Sequence, residues 1–299
     1  MRVFITGASG WIGSATTDEL LTAGHEVVGL ARSDASAASL ERKGARVLRG
    51  DLDDLESIRR GASEADAVIH LANKHDFDDS ATTNRAERAA VETIGEALEG
   101  SGRRFLLAAG IAGLSAPGRL AVETDASPAV GPDSPRGGSE NRALEFVDRD
   151  VHVVSLRFAP TVHGTGDHGF VSALTEIARA TGRSAYVDEG TNRWSAVHVS
   201  DAARLVRLGL EAAPAGSRLH AVGEEGIPTR VIAEAIGSSL SVPSVSVPRA
   251  GAMEHFGWIG LFFGMEVAAS SAATRELLGW QPTGPTLAED LASGSYADR

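Results

Sequence analysis

The sequence predicts an α/β fold: a Rossmann-type doubly wound parallel sheet with a small C-terminal α/β substrate domain. Three observations carry this expectation. Short apolar runs alternate with amphipathic stretches over residues 1–160, and β-α-β units with short connections close into a parallel sheet covered by helices on both faces. A glycine-rich turn follows the first apolar run. A Pro- and Gly-rich stretch at 113–138 then ends the alternation, and strands and helices mix without a repeat.

Taken in order, the strand-like runs are 3–5, 27–30, 47–48, 67–69, 105–107 and 151–156. Helical patterns lie between them. Leu20 and Leu21 belong to the first, Leu40 to the second, and Leu55 and Ile58 to the third. Val91, Ile94 and Leu98 recur at i, i+3, i+7 and share a face of the fourth. The stretch 113–138 holds Pro117, Pro128, Pro132, Pro135 and five glycines, so it reads as a long irregular loop. Helices are expected at about 168–181, 200–212 and 228–240. An apolar segment at 253–265, broken by Gly257, Gly260 and Gly264, reads as core, as the lid or wall of an apolar pocket, or as an oligomer contact. The expected division places nucleotide binding in 1–160, rejoined by 192–214, and the smaller substrate part in 161–191 and 215–299.

Composition narrows the function. The 299 residues carry 28 Lys+Arg and 40 Asp+Glu, a formal charge of −12, and an acidic chain without a basic run is a poor nucleic-acid binder. Cysteine is absent, which excludes disulfides, Cys-ligated metals and thiol nucleophiles. No apolar run is long enough for a membrane span. The chain enters a strand at Val3 without a secretory signal, so a soluble cytoplasmic protein is expected.

Thr6-Gly7-Ala8-Ser9-Gly10-Trp11-Ile12-Gly13 joins the first strand to the first helix. In a dinucleotide site the first glycine makes the tight turn, the second admits the pyrophosphate and the third lets helix and strand pack closely. The helix N-terminus then offers unpaired N–H groups to the phosphates. An ordinary β-to-α turn is the structural alternative. The second strand ends in Ala31-Arg32-Ser33-Asp34. Arg32 with the Ser33 hydroxyl suits a 2′-phosphate, so NADP is expected ahead of NAD, although Asp34 could serve a ribose.

These residues resemble the extended short-chain dehydrogenases/reductases, the NAD-dependent epimerase/dehydratase-like group. Further matches follow in Gly50-Asp51-Leu52, His70-Leu71-Ala72, Leu156-Arg157-Phe158-Ala159-Pro160-Thr161-Val162-His163-Gly164, Val197-His198-Val199-Ser200-Asp201-Ala202-Ala203 and Leu278-Gly279-Trp280-Gln281-Pro282. The resemblance implies that Asp51 and Leu52 meet the adenine and that Leu71 and Ala72 line the cofactor. It further implies that Phe158, Pro160 and Val162 hold the nicotinamide amide, and that the fourth helix and the helix near Ser139 form a homodimer surface. The family's Ser, Tyr and Lys are all replaced: Arg136 falls at the Tyr place, Glu140 at the Lys place, and no hydroxyl follows the fifth strand at Ala108-Ala109-Gly110.

Four residues are candidates for the chemistry. Arg136 cannot give up a proton but can stabilise an oxyanion, and Glu140 can be a general acid only if burial raises its pKa. Their i, i+4 spacing also suits a surface ion pair. His163, near Asp167 and His168, could supply a proton at neutral pH; three positioned ligands are lacking, so no metal is expected. Tyr186 faces the expected substrate side, with a packed tyrosine as the alternative. Asn73, Lys74, His75 and Asp76 follow the fourth strand into the crevice, where Asn73 is a cofactor candidate. The expected function is an NADP(H)-dependent reductase of a carbonyl, imine or enone in a small apolar molecule, with a non-standard proton donor. A redox-silent nucleotide sensor and a non-redox lyase or cyclase are the alternatives.

Overall fold

The computed structural model describes residues 1–74, 76 and 79–296, and His75 lies outside them. In chain order the nucleotide half contains β1 (Arg2–Thr6), α1 (Trp11–Thr22), β2 (Glu26–Ala31), α2 (Asp34–Lys43), β3 (Arg46–Arg49), α3 (Leu55–Ser63), β4 (Ala67–His70), α4 (Ser80–Leu98), β5 (Arg104–Gly110), α5 (Ser139–Leu144) and β6 (His152–Phe158). The remainder contains β7 (Thr161–His163), α6 (Phe170–Thr181), β8 (Ser184–Val187), β9 (Arg193–His198), α7 (Val199–Ala212), β10 (Arg218–Ala221), β11 (Glu224–Pro228), α8 (Thr229–Leu240) and β12 (Ser244–Val247). The short helices α9 (Ala252–Phe256), α10 (Gly260–Phe263), α11 (Ala272–Leu278) and α12 (Leu287–Ala292) end the chain.

Seven strands form one sheet in the order β10-β6-β5-β4-β1-β2-β3, with every neighbouring pair parallel. The strands are apolar on both faces because helices cover both: all four residues of β4 are buried. One apolar core includes Val3, Ile5, Leu20 and Leu205, where α1 packs on α7. A second includes Phe4, Ile58, Ile94 and Phe146, where α3 packs on α4. The chain moves outward from β1 to β3 and returns to β4 on the opposite side of β1. This reversal opens a crevice at the carboxyl ends of β1 and β4, the place where doubly wound sheets bind ligands.

The expected return of 192–214 needs correction. Its helix α7 does pack on α1, but β9 joins a separate sheet of order β11-β9-β7, and the strand that completes the large sheet is β10. A third, two-stranded sheet pairs β8 with β12. The segment after β5 is irregular and is tied down where the Ser115 hydroxyl donates to the Glu266 carbonyl at 2.6 Å and Ala121 bridges Ala269. Gly257 at φ +61° breaks the late apolar segment, leaving Phe256, Ile259 and Phe263 in the core with Leu261 exposed. Among the described residues no helix is long and apolar enough to cross a membrane.

Candidate functional site

The glycine turn is built by close contact. Gly7 leaves β1 at φ +72°, and a Cβ on it would stand 2.6 Å from the Ala72 nitrogen. Only glycine meets both conditions. Gly13 is tighter, since its Cβ would stand 2.0 Å from the Gly7 carbonyl oxygen. Gly10 is the N-cap of α1; no side chain caps this end and no acidic residue occupies its first turn. The first amides of the helix are thus open to an anion. Ser9 and Gly10 are exposed, Trp11 and Ile12 half-buried. The Trp11 indole N–H donates to the Val162 carbonyl at 2.7 Å, tying the turn to β7. This cradle fits the pyrophosphate of a dinucleotide.

The rim of the crevice is more occupied than expected. The Ser33 hydroxyl caps α2 by accepting from the Ser36 nitrogen at 3.2 Å, and it donates to the Ser36 hydroxyl at 3.0 Å. Asp34 accepts from Arg49 at 2.6 Å, while Arg32 is exposed. Asp51 closes a turn by accepting from the Asp53 and Asp54 amides at 2.9 and 3.0 Å, and Leu52 packs on the second core. Lys74 donates to both carboxylate oxygens of Asp53 at 2.7 and 2.8 Å. Leu71 and Ala72 present backbone to Gly7, Phe158 is buried, and Pro160 and Val162 are half-buried.

Arg136 and Glu140 do not pair. Arg136, Gly137 and Gly138 all take positive φ, at 55°, 62° and 63°, so α5 begins only at Ser139 and the two residues do not share a helix face. Arg136 instead turns toward α4. Its Nη2 donates to Glu87 Oε1 at 2.5 Å and to the Ala108 carbonyl at 3.1 Å, and its backbone N–H donates to Asn84 Oδ1 at 2.8 Å. The Arg136 side chain remains 34% exposed, against 1% for Glu87. The other Glu87 oxygen accepts from Asn73 Nδ2 at 2.6 Å. Beside this group His70, fully buried, shares a 2.7 Å hydrogen bond with the Thr6 hydroxyl through Nδ1. Its Nε2 has no partner among the described residues. Burial holds His70 below the ordinary histidine pKa, with Glu87 opposing and Arg136 assisting the shift.

Glu140 faces β6. It accepts from Arg157 Nε at 2.7 Å and Nη2 at 3.2 Å, and from the Ser155 hydroxyl at 2.7 Å. Both members of the ion pair are buried. The expectation of a surface ion pair with Arg136 therefore gives way to a buried bolt between α5 and β6.

His163 and Tyr186 lie elsewhere. His163 is buried and its Nδ1 is 2.6 Å from Asp290 on α12, with the His198 ring edge-on at 5.6 Å between centroids. Nearby, the Tyr296 hydroxyl donates to Asp167 at 2.8 Å, and burial raises the pKa of both groups. These bonds clamp the end of the chain onto β7 and its following loop. Tyr186 on β8 sits beneath the Arg230 guanidinium, 5.5 Å from its ring centroid. No hydrogen bond joins it to Arg136, Glu140 or His163 among the described residues. The structure thus brings Asn73 and Arg136 together and adds Glu87 and His70. Sequence reasoning missed Glu87, although a signal existed: it lies four residues before Val91, on the apolar face of α4.

The chain is similar to an uncharacterised protein of Schizosaccharomyces pombe, 44% identical over 296 residues that cover 99% of this chain and 100% of that one. Among solved structures it resembles MoeE5 in complex with UDP-glucose and NAD, at 22% identity and TM-score 0.75, covering 99% of this chain and 97% of that one. It also resembles a double mutant of DesIV, a dTDP-glucose 4,6-dehydratase from Streptomyces venezuelae with NAD bound, at 20% identity and TM-score 0.78, covering 100% and 98%. Both hold NAD, which overturns the expected NADP and with it the NADP(H)-dependent reductase. The local reason is that the Ser33 hydroxyl is engaged in capping α2 and donating to Ser36, which leaves no Arg32–Ser33 pair preset for a 2′-phosphate. The profile of the NAD dependent epimerase/dehydratase family matches residues 3–222, and the chain belongs to that family.

Proposed function

We propose that this chain is an NAD-linked oxidoreductase acting on a small organic molecule, with Arg136 holding the oxygen on the reacting carbon. The observation that carries the reading is a guanidinium fixed by Glu87 and the Ala108 carbonyl at the carboxyl end of β5, in a fold whose glycine turn is shaped for a pyrophosphate. NAD, when bound, supplies the hydride acceptor or donor. Gly7, Gly10 and Gly13 would seat its pyrophosphate, with Trp11 bracing β7 behind it. The segments 161–191 and 215–299, apart from β10 in the large sheet, contribute the substrate side.

As hydride moves to or from carbon, charge on the attached oxygen changes, and a fixed cation stabilises the state in which that charge is greatest. Arginine keeps its proton, and both Glu87 oxygens accept hydrogen bonds. The accompanying proton is therefore exchanged with water on the open side of Arg136.

A fluorescence titration with NADH tests the cofactor assignment, and absence of saturable binding would defeat it. Turnover is then sought as NADH oxidation with ketones and aldehydes, or NAD+ reduction with alcohols. Arg136→Met should retain NADH affinity within about threefold while losing about 100-fold or more in turnover. Undiminished turnover would remove Arg136 from the site.

A further inference from the structure

We infer that Glu87 is a specificity-determining residue that makes the substrate end of this site select an uncharged oxygen, as in a ketone, aldehyde or alcohol, against a carboxylate. The inference rests on the proposed role of Arg136 and concerns the chemical class of what meets it.

Two features of the geometry support it. A guanidinium grips a carboxylate through a two-nitrogen fork, and each of its two outward forks includes Nη2. In Arg136 the two Nη2 hydrogens go to Glu87 Oε1 and to the Ala108 carbonyl. Both forks are closed. The Nη1 and Nε hydrogens have no bond to a described residue, and each can serve one oxygen only.

Charge acts in the same direction. Glu87 lies 2.5 Å from Arg136 and is almost completely buried, so an approaching anion meets a neutral pair. Lys74, which follows Asn73 after β4, is matched by Asp53 at 2.7 Å. Burial disfavours the charged form of His70, and the whole chain carries a formal charge of −12. A carboxylate entering here would lose water without gaining an unpaired cation or a fork.

Asn73 explains how the carboxylate stays aimed. It donates to the Glu87 oxygen that Arg136 does not use, so neither oxygen can turn away without breaking a bond. Glu87 is a positioning residue in this arrangement.

The test compares pyruvate with methyl pyruvate as matched probes, binding each to the preformed NADH complex and reading NADH fluorescence. The NADH titration comes first, so failure of the cofactor assignment appears separately. The wild type should bind the ester at least tenfold more tightly than the acid. Glu87→Gln keeps an acceptor near Arg136 but removes the opposing charge, and should shift that ratio at least tenfold toward pyruvate. Addition of Arg136→Met to that variant should abolish the shift. Equal or tighter binding of pyruvate to the wild type would overturn the inference, as would a ratio unmoved by Glu87→Gln. A Glu87→Gln protein that retains NADH but takes neither probe would overturn it too. The wild-type comparison stands alone should that variant fail to fold.

Discussion

At the scale of single residues, the site depends on what side chains cannot be. Gly13 is the sharpest case, because a single methyl group would fall 2.0 Å from the Gly7 carbonyl oxygen. Helix α1 would have to move off β1, taking its open amides with it. Gly13→Ala is expected to weaken NADH binding at least tenfold and to lower the melting temperature; unchanged affinity would show that the turn does not seat the pyrophosphate. Arg136 makes the opposite point. Its φ of +55° is costly for a residue with a Cβ, on the order of 1 kcal/mol. The bonds to Asn84, Glu87 and Ala108 offset that cost and over-determine where the guanidinium lies.

Elements are joined by buried polar bonds as well as by apolar packing. Glu140 and Arg157 connect α5 to β6 with a bidentate contact. Removal of one partner leaves a buried charge alone, at a cost of roughly 3–5 kcal/mol. Glu140→Ala should therefore unfold at markedly lower denaturant while binding NADH normally once folded. A loss below about 1 kcal/mol would mean that water reaches Arg157. Asp201 at the start of α7 does similar work over a longer span. It accepts from the Thr283 and Gly284 amides at 2.7–3.0 Å, and the buried Trp280 indole donates to its carbonyl at 3.1 Å. The clamp of α12 on β7 through His163 and Asp290 completes the attachment of the C-terminal part. His163 has a histidine's chemistry, but its geometry serves this attachment.

For the molecule as a whole, the buried histidines set a pH dependence. His70 and His220 are fully buried, and burial lowers the pKa of each from 6.5. In the unfolded chain both take up protons as pH falls through that value, while the folded protein resists doing so. Their contribution to stability is therefore complete above about pH 6.5 and declines as pH drops toward the lowered folded pKa. Each proton contributes up to about 1.4 kcal/mol per pH unit. Melting temperatures between pH 7.5 and 5.5 should fall accordingly, and His70→Asn should reduce the slope. A flat profile over that window would contradict the assignment.

Chain-local information was enough for the parallel sheet, for the glycine turn and for the family. Short continuous apolar runs, apolar positions at period 3.6, and glycines where a turn needs positive φ, are properties of a few consecutive residues. The first six expected strands fall on β1–β6 for that reason. The pairing of charges was not legible. Arg136 and Glu140 are four residues apart, yet three left-handed residues between strand and helix send them to partners 49 and 17 residues away. Glu87 could be marked only by its place on the apolar face of α4, and the packing of α4 against the turn before α5 gave it Arg136. Hydrogen bonds and ion pairs form between whatever groups the fold brings within about 3 Å, so their assignment waited for the tertiary structure, whereas the fold class was already written in the order of the residues.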